Sequence, residues 1–390
     1  MKNFTRTSGI CISRKYENEE FYQLIKNSLT RHSKDYQKST FTTNYYFLEG
    51  TNILKVPRYY PIEKYCSDYD IVDNTNSGKD IQINHHITLR DDLQKNIVKY
   101  FLTNSNGIIQ ANPGSGKTIV SIYAVSTLKK KAFILVHRDS LVLQWESGFL
   151  NYTDISKDQI GRLSSHNFKD VLKKSIIICT DQTFVSILKR NREEFLIELN
   201  QANIGVLIGD EVHTTIGAPT FAECSLHIPT KKAFGLSATP KRWDGNLDII
   251  KFHLGEIFIP EGISSTMDAR VTVLLFNFGF LPKSYRYLYW DGFFQRSRYL
   301  TILKNSKIFI NVCNSLIDKF SYDGRNILVV GERIKLLELL FKNTKNYSKG
   351  MFTGNAKLDK IEDQITLTTP MKSRDGIDFV KKDCLIITSP

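Results

Sequence analysis

Eight residues, Ala111-Asn112-Pro113-Gly114-Ser115-Gly116-Lys117-Thr118, constrain this chain more than any other run. A short apolar segment, Gly107-Ile108-Ile109-Gln110, precedes them, and a helical pattern from about Thr118 to Leu128 follows. Strand, glycine-rich loop and helix in that order form a cradle for phosphate. Gly114 and Gly116 flank Ser115 and permit a tight turn that aims backbone N–H groups inward. Lys117 can then reach the β- and γ-phosphates of a nucleotide, and the Thr118 hydroxyl can ligate Mg²⁺. The positive end of the following helix faces the same anion.

A second motif lies at a strand end. The apolar run Val206-Leu207-Ile208-Gly209 is followed by Asp210-Glu211-Val212-His213. Asp210 is placed to hold the metal, directly or through water, and Glu211 to orient and deprotonate an attacking water. His213 completes the four-residue box. The two motifs together predict a chain that binds ATP with Mg²⁺ and hydrolyses it, with Lys117, Asp210, Glu211 and His213 in the catalytic group.

Organisation supports an α/β reading. From about residue 86 to 262, short apolar runs alternate with amphipathic helical stretches. Ala132-Phe133-Ile134-Leu135-Val136, Ser175-Ile176-Ile177-Ile178-Cys179 and Gly205-Val206-Leu207-Ile208 read as buried parallel strands of a doubly wound domain. A second set covers 263–390, with strands expected near Val271–Leu275, Asn326–Val330 and Asp383–Ile387. Residues 1–85 read as a small α+β domain. In it, runs 43–48 and 52–56 form a hairpin, and the polar stretch Asp73–Lys79 is a linker.

Bulk properties narrow the partners. No apolar run approaches the ~20 residues needed to cross a bilayer, and the first residues lack the apolar core of a signal peptide. The six cysteines form no close pair, which fits a reducing cytoplasm. Net charge is +13, of which +8 falls in residues 263–390. A polyanionic partner, most simply nucleic acid, is expected.

These residues resemble superfamily 2 helicases and translocases over about residues 88–390. The resemblance implies two RecA-like doubly wound parallel-sheet lobes, with ATP and Mg²⁺ between them. Leu89-Arg90-Asp91-Asp92-Leu93-Gln94 looks like the family's adenine-reading segment, which puts Arg90 and Gln94 at the nucleotide. Ala111, where the general phosphate loop has Gly, is common in helicases. Leu135-Val136-His137-Arg138 with Leu143-Gln144-Trp145 is similar to a motif that grips the nucleic-acid backbone, through His137, Arg138 and Gln144. Cys179-Thr180-Asp181-Gln182-Thr183 resembles the next such motif, with Thr180 the phosphate contact. Ser237-Ala238-Thr239 matches the coupling motif, where Ser237 and Thr239 relay the state of the nucleotide. Thr353, in Gly350-Met351-Phe352-Thr353-Gly354, resembles a backbone contact of the second lobe. Gly376 and Asp378 look like part of a motif shared by nucleotide and nucleic acid; Asp375 stands where the family often has Arg.

The run Phe234 to Gly245, which includes Arg242, is close to a pattern of the DNA-directed branch. That branch holds XPB-type repair helicases and UvsW-type phage branch-migration helicases. Gly217-Ala218-Pro219-Thr220-Phe221 points the same way. Compact size and the N-terminal domain look phage-like, as in a tequintavirus helicase. The resemblance implies a monomer acting on duplex, branched or single-stranded DNA. An RNA helicase on the same engine, and an ATP-hydrolysing switch that does not translocate, stay open. The family ends its second lobe with a Gln, Gly and two-Arg motif. No Gln-x-x-Gly-Arg-x-x-Arg pattern occurs here, so this reading expects a second lobe truncated before the arginine finger.

Residues 283–307 carry Lys283, Arg286, Arg296, Arg298, Lys304 and Lys307 with seven interleaved aromatics. Basic groups suit phosphates and aromatic faces suit unpaired bases. Tyr287, Trp290 and Phe294 also recur at the spacing of one helix face. A packed helix with Arg296 and Arg298 turned to nucleic acid satisfies both readings.

Overall fold

The apolar runs of the middle of the chain assemble into one parallel sheet of seven strands. Its order is Ile160–Arg162, Ile176–Thr180, Ala132–Val136, Val206–Gly209, Lys232–Ser237, Asn106–Gln110 and Ile257–Phe258. The computed structural model describes residues 2–13, 19–34, 40–50, 52–66, 69–212, 219–240, 247–262, 271–274, 287–290, 293–344, 347–354, 362–370 and 382–388. They fall into two compact units, Met1–Met267 and Asp268–Pro390.

Period-two alternation sends successive side chains of each central strand to opposite faces. Ile134, Ile178 and Ile208 join one core with Val120, Trp145 and Phe149. Phe133, Ile177 and Leu207 join the other with Phe184, Leu188 and Phe195. Helices Asp92–Thr103, Lys117–Leu128 and Asp139–Tyr152 contribute to the first core; Asp181–Gln201 and Leu247–Leu254 contribute to the second. The sheet is therefore buried on both sides, as the apolar runs predicted. Each strand delivers its last residue to the same edge, where the sequence motifs follow.

The N-terminal region adds a five-stranded mixed sheet, in the order Phe47–Glu49, Ile53–Val56, Ile10–Ser13, Lys2–Arg6, Tyr69–Asp73. Two expectations change here. The run 43–48 is not one strand. Thr40–Asn44 pairs with Thr30–Lys34, while Phe47–Glu49 pairs with Ile53–Val56. Between them the Tyr45 N–H donates to Leu29 O at 2.9 Å and the Tyr45 ring is buried, so the chain changes sheets at that point. The polar stretch 73–79 is not a free linker either. Its backbone bonds along the first lobe, with Asn76 N–H on Pro229 O and Lys79 N–H on Asn203 O. Gly78, at φ +87, lies against Gly205 so closely that a Cβ would sit 2.5 Å from the Gly205 Cα. Only two glycines permit that backbone approach.

The N-terminal sheet and the first lobe share a core. Phe4, Ile12, Ile25 and Leu54 cluster with Ala222 and Ile249, which belong to helices Pro219–Ser225 and Leu247–Leu254. Arg58 is buried, and its guanidinium donates to Thr230 O at 2.7 Å and Ile228 O at 2.9 Å. Burial lowers its pKa.

Two histidines in this zone are kept neutral. His253 Nδ1 lies 2.5 Å from Ser225 Oγ, and His227 sits edge-on to Phe47. Burial first, then the nearby cations, pushes both down to about 3. Their folded-state pKa values are depressed, so an unfolded chain takes up protons that the folded one refuses. The stability they contribute is fully present above the unfolded value of about 6.5 and is lost as pH falls toward 3. Each histidine is expected to add about 1.4 kcal/mol per pH unit to the slope of unfolding free energy across that window. Denaturant titrations of His227→Gln and His253→Asn from pH 7 to 4.5 should each flatten the slope. An unaltered slope in the double variant would mean that other groups drive acid unfolding.

The second unit holds a parallel sheet in the order Lys349–Phe352, Ile365–Thr368, Ile327–Val330, Cys384–Ile387. Helices Lys307–Tyr322 and Ile334–Asn343 pack on it through Ile317, Leu336, Leu337 and Leu340. Two expectations differ here as well. Residues 271–274 form no strand and are exposed. The aromatic stretch is not a packed helix face: Tyr289–Trp290 pairs antiparallel with Phe293–Phe294. Adjacent aromatics favour extended backbone, and all four rings are exposed. Trp290 is 66% exposed and Phe293 72%.

A candidate nucleotide site at the edge of the first sheet

Three motifs meet because three adjacent strands carry them. Asn106–Gln110 ends in the phosphate loop, Lys232–Ser237 ends in the coupling motif, and Val206–Gly209 ends in the acid box; the middle one pairs with both others. The Ala111 N–H donates to Ser237 O at 3.0 Å and fixes where the loop departs.

The loop is shaped for an anion. Gly114 and Gly116 have φ of +75° and +84°. Gly116 is the N-cap of helix Lys117–Leu128, and no side chain caps it. The first N–H groups of that helix are open to a ligand. The Ser115 hydroxyl is buried without a hydrogen-bond partner. A buried orphan hydroxyl beside uncapped N–H groups fits phosphate oxygens.

Lys117 Nζ lies 3.1 Å from Ala111 O and 3.9 Å from Glu211 Oε1. Asp210 is 5% exposed. Its Oδ1 accepts the Glu211 N–H at 2.9 Å and its Oδ2 accepts the Trp145 indole N–H at 2.8 Å. Burial pushes the Asp210 carboxyl up to about 6, with Trp145 and Lys117 opposing the shift and Glu211 adding to it. Such a group holds a cation better than it holds a bare charge. Glu211 has φ +47°, the left-handed region that costs a residue with a Cβ about 1–2 kcal/mol. Thr118 is half-buried at the start of the same helix.

A cavity of about 570 Å³ adjoins the loop, lined by Arg90, Asn96, Asn112, Gly114, Ser115 and Glu261 among others. Gln94 does not line it. Its Oε1 accepts the Arg90 N–H at 2.8 Å and its Nε2 donates to Ser115 O at 3.1 Å, so the buried amide braces the loop. A Cβ on Gly116 would meet that amide at 2.5 Å.

The other expected residues are scattered along the edge. His137 and Arg138 follow Ala132–Val136, and Arg138 is the N-cap of helix Asp139–Tyr152, on which Gln144 is exposed. Thr180 is buried and caps helix Asp181–Gln201 through Thr183. Ser237 is buried and accepts the Thr239 N–H at 3.1 Å; Thr239 itself is exposed. In the second unit, Thr353 follows strand Lys349–Phe352. The Arg296 guanidinium is engaged by Glu332, and Arg298 stacks over the rings of Tyr287 and Trp290 at 5.0 and 5.5 Å. His213, Arg242, Gly376 and Asp378 lie outside the described residues. The sequence reading gave Gln144 a role and passed over its neighbour Trp145. Leu141, Trp145 and Phe149 at i, i+4 spacing put that indole inside, and a buried indole N–H needs an acceptor.

Residues 80–242 match the family model described as type III restriction enzyme, res subunit. The XPB helicase/translocase subunit of transcription and DNA repair factor IIH from Encephalitozoon cuniculi is 30% identical over 296 residues. That stretch is 72% of this chain and 43% of the relative. The chain is similar to superfamily 2 helicases and translocases over this region. A putative ATP-dependent RNA helicase of Acanthamoeba polyphaga mimivirus is 25% identical over 366 residues, 88% of this chain and 67% of the relative. The crystal structure of the UvsW helicase from bacteriophage T4 aligns at a TM-score of 0.47 and 16% identity, covering 67% of this chain and all of that one. The chain thus spans between 43% and 67% of the length of the first curated relatives it matches. No helix among the described residues is long and apolar enough to cross a membrane. No cluster of three or more metal-ligating His, Cys, Asp or Glu occurs among them either.

Proposed function

We propose that the chain is an ATP-dependent DNA helicase or translocase acting on duplex or branched DNA in repair, recombination or fork processing. The observation that carries this is the meeting of Lys117, Asp210 and Glu211 at one strand edge, with Lys117 Nζ 3.9 Å from Glu211 Oε1. The similarity to the XPB relative supports the DNA reading.

The residues fit ATP with Mg²⁺. Ser115 and the open N–H groups of the loop bind phosphate oxygens. Lys117 balances charge on the β- and γ-phosphates, and Thr118 and Asp210 hold the metal. A divalent ion at that place neutralises charge that builds on the phosphate oxygens. Glu211 takes the proton of the attacking water. Ser237 lies beside the loop departure, so a shift there reaches the next strand. Arg90 lines the cavity for the base, and Gln94 holds the floor beneath it.

Nucleic acid is assigned to His137, Arg138, Gln144 and Thr180 in the first lobe and to Thr353 and Arg298 in the second. His213, Arg242, Gly376 and Asp378 keep the roles their motifs imply. Arg298 with Tyr287 and Trp290 presents a cation and exposed rings to unpaired bases. Arg296 is assigned to nucleic acid with it, from a position where its guanidinium pairs with Glu332. Residues 1–85 act as an accessory DNA-binding domain, 86–262 as the first lobe and 263–390 as the second. All six thiols are free, which suits a reducing cytoplasm.

An RNA helicase is the second reading, because the mimivirus relative is named as one and aligns with 88% of the chain. Steady-state ATPase assays with single-stranded RNA, single-stranded DNA, duplex DNA and a four-way junction separate the two. The DNA reading expects the largest stimulation from duplex or junction. Stimulation by RNA alone would overturn it, and a stimulated ATPase that never displaces a triplex-forming strand would point to a switch.

A further inference from the structure

Helix Asp139–Tyr152 touches two parts of the proposed cycle. Arg138 caps it and Gln144 is exposed on it, and both are assigned to nucleic acid above. The next residue, Trp145, is fully buried and donates its indole N–H to Asp210 Oδ2 at 2.8 Å. The two residues are 65 positions apart. A buried indole N–H needs an acceptor, and a backbone carbonyl would serve. Here the acceptor is the carboxylate that the nucleotide site needs. The Glu211 N–H holds the other oxygen, Oδ1, at 2.9 Å, so both oxygens are fixed and the rotamer is set. Trp145 is also locked to its own helix. It packs with Phe149 in the core of that sheet face, with ring centroids 6.2 Å apart. A small rotation of the helix therefore moves the indole, and the indole moves Asp210.

We infer that Trp145 is a positioning residue that reports nucleic-acid binding on its helix to Asp210, and so regulates hydrolysis at the nucleotide site. The inference rests on the function proposed above. It names a direct path, one side-chain hydrogen bond long, between a strand-gripping helix and the metal carboxylate. It is separate from the path through Ser237 and Thr239.

Trp145→Phe tests it, because the ring and most of its bulk remain while the N–H is lost. The Mg²⁺ concentration that half-saturates binding of a fluorescent ATP analogue is expected to rise about tenfold, the usual scale for losing an outer partner of a metal ligand. The ratio of DNA-stimulated to basal ATPase should fall at least about fivefold by the same reasoning, with DNA affinity unchanged. A merely structural tryptophan would lower the thermal midpoint and move neither quantity. The chain has three tryptophans, so 5-fluorotryptophan labelling gives three resonances, and the variant identifies that of Trp145. In the wild type this resonance should shift when duplex DNA is added without nucleotide, and again with Mg²⁺-ADP. A folded variant with an unchanged Mg²⁺ midpoint and an unchanged stimulation ratio overturns the inference. Should the variant unfold, the wild-type resonance decides, assigned through Trp243→Phe and Trp290→Phe. Indifference to both additions overturns the inference. Failure of the underlying function looks different: the wild type itself would bind no Mg²⁺-nucleotide, and the inference would fall with it.

Discussion

Glu211→Gln is expected to bind ATP and DNA normally while turnover falls by about 10²-fold or more, the range for losing a general base. Gln keeps the shape of the side chain, and it suffers the same left-handed backbone as Glu. Strain is therefore constant in the comparison, and only the proton acceptor is removed. Asp210 keeps its hydrogen bond to the residue-211 N–H, because that bond is to the backbone. With hydrolysis stalled, DNA should be retained longer. Fluorescent nucleotide binding, phosphate release and DNA dissociation rates measure the three parts. Turnover equal to wild type would remove Glu211 from the role of base.

Lys117→Ala should cost more, because it strikes both binding and chemistry. The Lys117 side chain is 11% exposed, with its ammonium group between the loop carbonyls and Glu211. Its loss leaves the β- and γ-phosphates facing Glu211 without a counter-charge. A fall in turnover of at least about 10²–10³-fold is expected, the range for removing one preorganised electrostatic donor, together with weaker ATP binding. The thermal midpoint without nucleotide should stay near wild type, since the lysine hydrogen-bonds to carbonyls of its own loop and approaches Glu211 only to 3.9 Å. Nucleotide binding as tight as wild type would show that the phosphates rest on other groups.

The candidate nucleotide site was legible because its pattern is local. A phosphate loop needs glycine, lysine and threonine at fixed spacing, and a strand end needs its acids at the next position. Parallel strands buried on both faces are likewise written as unbroken apolar runs. What the sequence concealed depends on distant partners. The Trp145 bond to Asp210 spans two strands of the sheet. The extended Tyr289–Trp290 pair read as a helix face because three rings fell at helical spacing by position alone. The turn from one sheet to another at Tyr45 depends on Leu29, which no local pattern names. Gln94 looked like a base contact, and its amide is found bracing the loop.

The core shared by Phe4, Ile12 and Leu54 with Ala222 and Ile249 sets an order of events during synthesis. An N-terminal domain ordinarily closes as soon as it leaves the ribosome. This one is made first and completed late, because part of its covering surface is encoded some 200 residues downstream in helices Pro219–Ser225 and Leu247–Leu254. At about 5–20 residues per second, roughly 10–50 s separate the first strand from its last partner. During that interval the part of the sheet that these helices cover stays open to other chains. A ribosome stalled before the second of these helices would release a product unfinished at its beginning as well as at its end.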